Sequence, residues 1–179
     1  MRVISGKYKG KNLLGFDILG TRPTMDRVKE SLFGIIQNKV KNSTILDLFA
    51  GSGSLGIEAI SNGSKTCYFI DNNMKLIDII KKNTINMEEE IIIEKKDYID
   101  ALKYFYNNNI KFDIIFLDPP YKLNLINNCL KLIEKYDLLN KNGIIVCEYE
   151  QEIINSNYKL LKEKKYGSKN IKIYLNELK

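Results

Sequence analysis

Apolar residues in this chain form short continuous runs that alternate with stretches of helical spacing. The runs predict buried strands at 45–49, 65–70, 91–93, 112–117 and 144–147. Between them, the segments 74–86, 98–107 and 125–133 carry apolar residues three or four positions apart, which predicts helices. This alternation predicts an α/β, Rossmann-like fold, an open and mostly parallel sheet with helices on both faces.

The two ends of the chain predict smaller β structures. Segments 158–164 and 171–178 predict an antiparallel pair, which would complete a seven-stranded sheet. Residues 1–14 alternate apolar and polar types around two glycines, which predicts a hairpin. We therefore expect a hairpin extension over 1–20 and a main domain over 21–179.

A helix is predicted between that hairpin and the first strand. Thr24 is a suitable N-cap, and Val28, Leu32 and Ile36 recur at helical spacing. The opposite face, which includes Lys29, is expected to point to solvent or to a partner.

A glycine-rich turn follows the strand at 45–49. Gly51, Gly53 and Gly56 fit G-x-G-x-x-G, in which glycine permits a tight turn and lets a ligand approach the backbone. The next helix would direct its free N–H groups at that ligand. Asp47 interrupts the apolar run, and a carboxylate there suggests a polar function. The glycine spacing alone also fits a plain strand-to-helix turn.

Acidic residues follow three other strands at the same edge of the predicted sheet. Asp71 lies 20 residues after Gly51, the offset at which a carboxylate accepts hydrogen bonds from ribose hydroxyls. Asp97 would lie beside the adenine of a nucleotide cofactor or cap the next helix. Asp118 follows the predicted strand at 112–117, the clearest buried strand of the sequence. Ligands bind at the carboxyl ends of such strands, so we expect one shared site.

The turn Asp118-Pro119-Pro120-Tyr121 suggests the chemistry of that site. Two prolines hold the backbone stiff and extended. The Asp118 carboxylate and the Pro119 carbonyl can then accept both protons of one exocyclic amino group, which favours attack by its nitrogen on an electrophilic carbon. Tyr121 can stack on the base. The sulfonium methyl of S-adenosylmethionine is the predicted electrophile, since it requires neither a metal nor a histidine.

Composition narrows the chemistry and the location. The chain contains no histidine, which excludes Ser-His-Asp and Cys-His catalysis, and we expect no metal. Its three cysteines are separated and lie in apolar runs, which suits a reducing compartment. The N-terminus lacks a signal-peptide pattern, so a cytoplasmic protein is expected.

Positive charge concentrates at the two ends of the chain. The net charge is +6; residues 1–30 hold seven Lys/Arg against three Asp/Glu, and residues 159–179 hold seven against two. This distribution favours a nucleic-acid partner over a merely solvated surface. In the first hairpin, cations surround Tyr8, which suits RNA contact, although lysines on an edge hairpin also serve solubility. The predicted RNA-binding residues there are Arg2, Lys7, Lys9 and Lys11.

Four stretches together resemble a known family. Their order along the chain resembles that of class I S-adenosylmethionine-dependent methyltransferases. The stretches are RVISGKYKGKNL at 2–13, TRPTMDRVKESLF at 21–33, LDLFAGSGSLGIEA at 46–59 and FLDPPY at 116–121. More closely, they resemble the RsmD family of bacterial 16S ribosomal RNA guanine-N2 methyltransferases. The resemblance spans essentially the whole chain, although the family often has Phe where this chain has Tyr121.

The resemblance implies a role for individual residues. It implies a cofactor site of Asp47, Phe49, Gly51, Ser52, Gly53, Asp71, Asn72, Asp97 and Tyr98. It implies that Asp118, Pro119 and Tyr121 hold the guanine and that Arg22 and Thr24 close over the site. Ribosomal RNA within the small subunit is the implied partner of a monomeric, non-membrane enzyme.

Three alternatives remain at this stage. The same Asp-Pro-Pro-Tyr turn serves methyltransferases of DNA adenine and of protein glutamine. A nicotinamide-dependent oxidoreductase fits the glycines and Asp71 but leaves Asp118-Pro119-Pro120-Tyr121 unexplained. An RNA-binding module without activity would have the fold but would not need Asp118.

Overall fold

The computed structural model describes residues 1–15, 23–120 and 124–177, without the side chains of residues 23 and 24. Its helices are α1 (Pro23–Val40), α2 (Ser54–Ser61), α3 (Met74–Asn83), α4 (Tyr98–Asn107) and α5 (Leu125–Lys135). Its strands are β1 (Thr44–Asp47), β2 (Thr66–Asp71), β3 (Glu90–Lys95), β4 (Phe112–Leu117), β5 (Leu139–Tyr149), β6 (Lys159–Tyr166) and β7 (Lys169–Leu175).

The strands form one seven-stranded sheet in the order β3-β2-β1-β4-β5-β7-β6. The first five strands are parallel, whereas β7 runs antiparallel to both β5 and β6. The predicted architecture is confirmed, with a mixed sheet because the last pair is antiparallel. The strand order reverses direction between β1 and β4, which is where ligands bind in open α/β sheets.

Two apolar clusters cover the two faces of the sheet. Helices α1, α2 and α3 and the N-terminal segment contribute to one cluster, whereas α4 and α5 contribute to the other. Paired strand residues alternate between the clusters: Phe116 and Val146 belong to the first, and Leu117 and Cys147 to the second. Alternate side chains of β4 and β5 therefore point to opposite faces.

Helix α1 differs from its prediction in two respects. It begins at Pro23, a residue suited to the first helical position, so Thr24 lies in the first turn and does not cap the helix. Lys29, expected to face solvent, is only 5% exposed. Its burial is possible because Glu58 of α2 provides a counter-charge, with Nζ and Oε2 3.2 Å apart.

The N-terminal segment folds back as a short hairpin that packs on the core. Arg2 and Asn12 form an antiparallel bridge, and the side chains of Val3 and Leu13 are buried in the cluster under α1 and α2. Glu58 accepts hydrogen bonds from the backbone of Ile4 and Ser5 at 2.9 to 3.1 Å. A division into units 1–20 and 21–179 remains a proposal.

Within the described part of the chain, no helix combines the length and apolar character needed to cross a bilayer.

Candidate active site

A cavity of about 1070 Å³ opens at the carboxyl ends of β1, β2, β4 and β5. The predicted site residues that line it are Asp47, Phe49, Gly51, Ser52, Asp71, Asn72, Asp97, Tyr98, Asp118 and Pro119. Tyr121 and Arg22 lie outside the described residues, as does the side chain of Thr24. The volume is large enough for two ligands side by side, such as a cofactor and a nucleobase.

The three glycines of the turn have two different surroundings: Gly51 lines the cavity, whereas Gly53 and Gly56 lie against packed side chains. Gly51 and Gly53 have φ of 57° and 82°, a left-handed conformation that favours glycine. Gly51 lines the cavity. A Cβ at Gly53 would lie 3.3 Å from side-chain atoms of Ile57 and Phe69, and one at Gly56 would lie 2.3 Å from the Phe69 ring. The missing side chains of Gly53 and Gly56 thus allow α2 to pack against the sheet. The sequence had instead suggested that they make room for a ligand.

Asp71 is tied directly to the glycine turn. Its Oδ2 accepts a hydrogen bond from the Gly51 N–H, and its Oδ1 accepts one from the Asn73 N–H, both at 3.0 Å. Each carboxylate oxygen keeps a second acceptor position. Asp71 can therefore accept hydrogen bonds from vicinal hydroxyls of a ligand while it holds the turn in place.

Asp47 is more deeply buried than Asp71. It is 1% exposed, and its Oδ2 accepts the Gly56 N–H at 3.0 Å. Burial raises its pKa to about 7; the nearby Asp71 adds to this rise and the Gly56 hydrogen bond opposes it. Its negative charge would be stabilised by a cationic ligand in the cavity.

Aromatic and polar residues form the wall beside β2 and β3. The rings of Phe49 and Tyr98 lie 5.7 Å apart at 42°. Asp97 caps α4 by accepting the Ile99 N–H at 2.9 Å, which is the helix-cap role that the sequence offered for it. Its side chain also lines the cavity, where the sequence placed a bound adenine. This wall could hold a flat heteroaromatic group, with Asn72 nearby.

Asp118 has charged neighbours that the sequence analysis missed. Leu117, the last residue of β4, pairs with Cys147, and the charge of Glu148 acts on Asp118, so these next two residues lie near each other at the carboxyl ends of β4 and β5. Lys169 places its Nζ 2.5 Å from Glu148 Oε1, and both residues line the cavity. Glu148 could have been predicted, because it directly follows the fifth predicted strand, 144–147, at the same edge as the aspartates.

The pKa of Asp118 lies well above its usual value. Burial is the largest cause, and the negative charges of Glu148 and Asp47 add to it, whereas Lys169 opposes it. Such a carboxyl group is a stronger base than an exposed aspartate. Its ionisation depends on the positive charge around it.

The buried Lys29 also borders the cavity. Its Nζ donates to the Arg2 carbonyl at 2.7 Å and to Ser54 Oγ at 3.0 Å, in addition to its ion pair with Glu58. Desolvation lowers its pKa. No local sequence signal predicts this pair, since its partners lie 29 residues apart in separate helices.

The predicted RNA-binding lysines differ in how far their charge is already compensated. Lys7 contacts Glu88 and Glu89 at 2.8 and 3.0 Å. Lys11 donates to the Ile85 carbonyl at 3.3 Å, whereas Lys9 is exposed. The Arg2 side chain lies 3.6 Å from Asp26. These arrangements leave Lys9 as the best-placed cation of the set.

Comparisons with known proteins agree with this geometry. The family model "Conserved hypothetical protein 95" matches residues 1–175. "Putative rRNA methyltransferase YlbH" of Bacillus subtilis is 42% identical over 155 residues, 86% of this chain and 84% of that protein. "Ribosomal RNA small subunit methyltransferase D" of Haemophilus influenzae is 36% identical over 182 residues, 98% and 94% of the two chains.

A solved structure shows the same architecture over the whole length. "Putative methyltransferase yhhF from Escherichia coli" superposes with a TM-score of 0.85 and 28% identity, and the match covers 100% of this chain and 99% of that one. The family model and these two curated relatives each match more than four-fifths of this chain. The chain therefore belongs to the RsmD family of methyltransferases.

Proposed function

We propose that this protein transfers a methyl group from S-adenosylmethionine to the exocyclic N2 amino group of a guanine in 16S ribosomal RNA. The observation that supports the proposal is that the predicted cofactor-binding turn and the predicted amino-binding turn line the same cavity. The glycine turn with Asp71 follows β1 and β2, and Asp118-Pro119 follows the adjacent β4. A cofactor at the first feature and an amino group at the second would be neighbours.

The residues around the glycine turn fit the cofactor. Asp71 can accept hydrogen bonds from ribose hydroxyls, and the wall of Phe49 and Tyr98 suits an adenine. Asp47 would be ionised beside the positive charge of the cofactor. When bound, the cofactor supplies a methyl group on a sulfonium, which needs no metal for activation.

The residues around Asp118 fit an amino nucleophile. The carboxylate and the Pro119 carbonyl would accept the two N–H groups and stabilise the positive charge that grows on nitrogen. A nitrogen–carbon bond forms as the carbon–sulfur bond breaks, and the electron pair of that bond goes to sulfur. The nitrogen then loses one proton, for which the Asp118 carboxylate is the nearest base.

The choice of RNA rests on the family and on charge. The Haemophilus relative carries the name of a ribosomal RNA small subunit methyltransferase. The chain is basic at both ends, as a phosphate-rich partner requires. A small ribosomal subunit in the cytoplasm is the proposed substrate, methylated by a monomer. DNA adenine and protein glutamine are the competing substrates, because the same turn could hold their amino groups.

The test is transfer of labelled methyl from S-adenosylmethionine to undermethylated small ribosomal subunits. Naked 16S ribosomal RNA, DNA and bulk protein serve as parallel acceptors. We expect the label in N2-methylguanine after nuclease digestion of the ribosomal RNA. Label only in N6-methyladenine or in methylglutamine would overturn the proposed substrate and keep the Asp118 chemistry.

A further inference from the structure

Asp118, Glu148 and Lys169 form a charged cluster in the part of the cavity beside β4, β5 and β7. Glu148 is 8% exposed and is the second-last residue of β5, and Lys169 begins β7. Both line the same cavity as Asp118. The proposed function assigns a role to Asp118 alone, so the adjacent ion pair requires a separate explanation.

The side chains of this cluster share one face of the sheet. Leu117 and Cys147 pack in the cluster under α4 and α5, so the residues that follow each of them turn to the opposite face. Asp47 is on that face too, since it bonds to Gly56 of α2. The carboxylates of Asp118 and Glu148 therefore lie next to each other, about 5 Å apart in strand spacing.

Guanine presents a matching row of groups on its Watson–Crick edge. The N2 amino group and N1–H are adjacent donors, and O6 beside them is an acceptor. The carboxylates of Asp118 and Glu148 are two neighbouring acceptors, and the ammonium group of Lys169 beside them is a donor. They would therefore meet the N2 amino group, N1–H and O6 of guanine in that order. Adenine has an acceptor at N1 and a donor at N6. In the same position its N1 lone pair would face the Glu148 carboxylate and its N6 amino group would face the Lys169 ammonium, and neither contact is a hydrogen bond.

We propose that Glu148 and Lys169 recognise the target guanine, Glu148 by accepting its N1–H and Lys169 by donating to its O6. This inference rests on the proposed function and adds the means of base selection to it. A base extruded from its strand is commonly read by hydrogen bonds to this edge. The ion pair holds both groups in position before the base arrives.

The test uses a base analogue that keeps the methylated amino group. 2-Aminopurine has the N2 amino group, but it has a lone pair at N1 and no O6. Once the methylated guanosine has been mapped, 16S ribosomal RNA is assembled by splinted ligation with guanosine or 2-aminopurine at that position. The kcat/KM for methyl transfer is then measured for both substrates.

We expect the wild type to prefer guanosine by about 10- to 100-fold, the discrimination typical of one well-placed pair of hydrogen bonds. Glu148→Gln should reduce this preference to less than about fivefold, because the Gln amide can donate to N1 of 2-aminopurine. The matched control is Glu150→Gln, the same change two residues on and outside the cavity lining. It should keep the wild-type preference.

The outcomes separate the two proposals. If Glu148→Gln keeps the wild-type preference while it binds S-adenosylmethionine and melts normally, the base-reading role is wrong and the guanine-N2 activity stands. A wild type that methylates both substrates equally also overturns it. If mapping yields no N2-methylguanine, the proposed function itself fails at the first step. A Glu148→Gln protein with impaired cofactor binding would assign the residue to the fold instead.

Discussion

Two of the Glu–Lys pairs among the described residues border the cavity, and their surroundings differ. The side chains of Lys29 and Glu58 are 5% and 1% exposed, and they join α1, α2 and the N-terminal segment. Those of Lys169 and Glu148 are 26% and 11% exposed and border the cavity at the ends of β7 and β5. The same two residue types thus serve as a structural anchor in one region and as a candidate recognition group in the other.

The donors around Glu58 explain why its pair is structural. This carboxylate accepts hydrogen bonds from the N–H groups of Ile4 and Ser5 and from Ser5 Oγ, and it forms an ion pair with the Lys29 ammonium. The negative charge is thereby compensated within the protein. A carboxylate satisfied in this way is part of the fold, whereas one that faces a cavity can exchange partners when a ligand enters.

The largest expected effect is that of Glu58→Ala on stability. This change leaves the Lys29 charge buried and removes the acceptor of the N-terminal segment, so the free energy of unfolding should fall by about 3–5 kcal/mol. Urea denaturation followed by circular dichroism measures it. Glu148→Ala is the matched comparison and should cost clearly less; equal losses would remove the distinction between the two pairs.

Asp118→Asn should mainly affect catalysis. The Asn side chain keeps one acceptor but cannot take the proton, so turnover should fall by about 10²- to 10³-fold. S-adenosylmethionine affinity, measured by calorimetry, should remain near the wild-type value because the residues proposed to bind the cofactor follow β1 and β2. A parallel loss of affinity and turnover would make Asp118 a structural residue.

The two members of the cavity pair should shift the pH dependence of activity in opposite directions. Asp118 is faced by Asp47 from β1, Glu148 from β5 and Lys169 from β7, and it must be ionised to act. Glu148→Gln removes a negative charge, so the Asp118 pKa falls and activity extends to lower pH. Lys169→Met removes a positive charge, and the acid limb moves to higher pH. The profile of kcat/KM against pH measures both, and shifts in the same direction would contradict this arrangement.

Asp47 extends the comparison to a buried carboxylate whose charge the protein does not fully compensate. With a pKa of about 7, it binds a proton that the same side chain in the unfolded chain, where the ordinary aspartate pKa is 3.8, has lost at neutral pH. The free energy of unfolding should therefore decrease as the pH rises from about 4 to 7, and Asp47→Asn should flatten this slope. At pH 7, S-adenosylmethionine binding should release up to about half a proton per site, because the cation favours the ionised form.

Calorimetry in buffers of different ionisation enthalpy measures this proton release. Asp97→Asn provides the control, since Asp97 also lines the cavity but is not among the groups that shift the pKa of Asp47, so the release should stay in place. If wild type and Asp47→Asn release the same number of protons, another group titrates on binding.

The smallest expected effect concerns the exposed lysines. Lys7 already contacts two glutamates, whereas Lys9 is exposed. Lys9→Gln should therefore weaken RNA binding and reduce the slope of log K against log salt by up to about one unit, and Lys7→Gln should change it less. Filter binding of 16S ribosomal RNA at several salt concentrations tests this order. A larger effect at Lys7 would show that its ion pairs open on binding.

The sheet and the cofactor side of the cavity were predictable from the sequence. The five apolar runs identify the parallel strands because fully buried strands need continuous apolar residues. Asp71 and Asp118 could be assigned to one edge because every parallel strand ends there. Element boundaries were less accurate: α3 ends at Asn83, and β5 begins at Leu139.

The sequence by itself determined the fold class, the glycine turn and the Asp-Pro-Pro turn, since local patterns and strand order carry that information. Only the tertiary structure decided that Lys29 is buried and that Glu148 and Lys169 stand beside Asp118. It also decided that a side chain at Gly53 or Gly56 would meet the packed side chains of the core. The reason is physical: the burial and charge of a side chain depend on neighbours that are distant in the chain, and these are fixed only when the helices pack on the sheet.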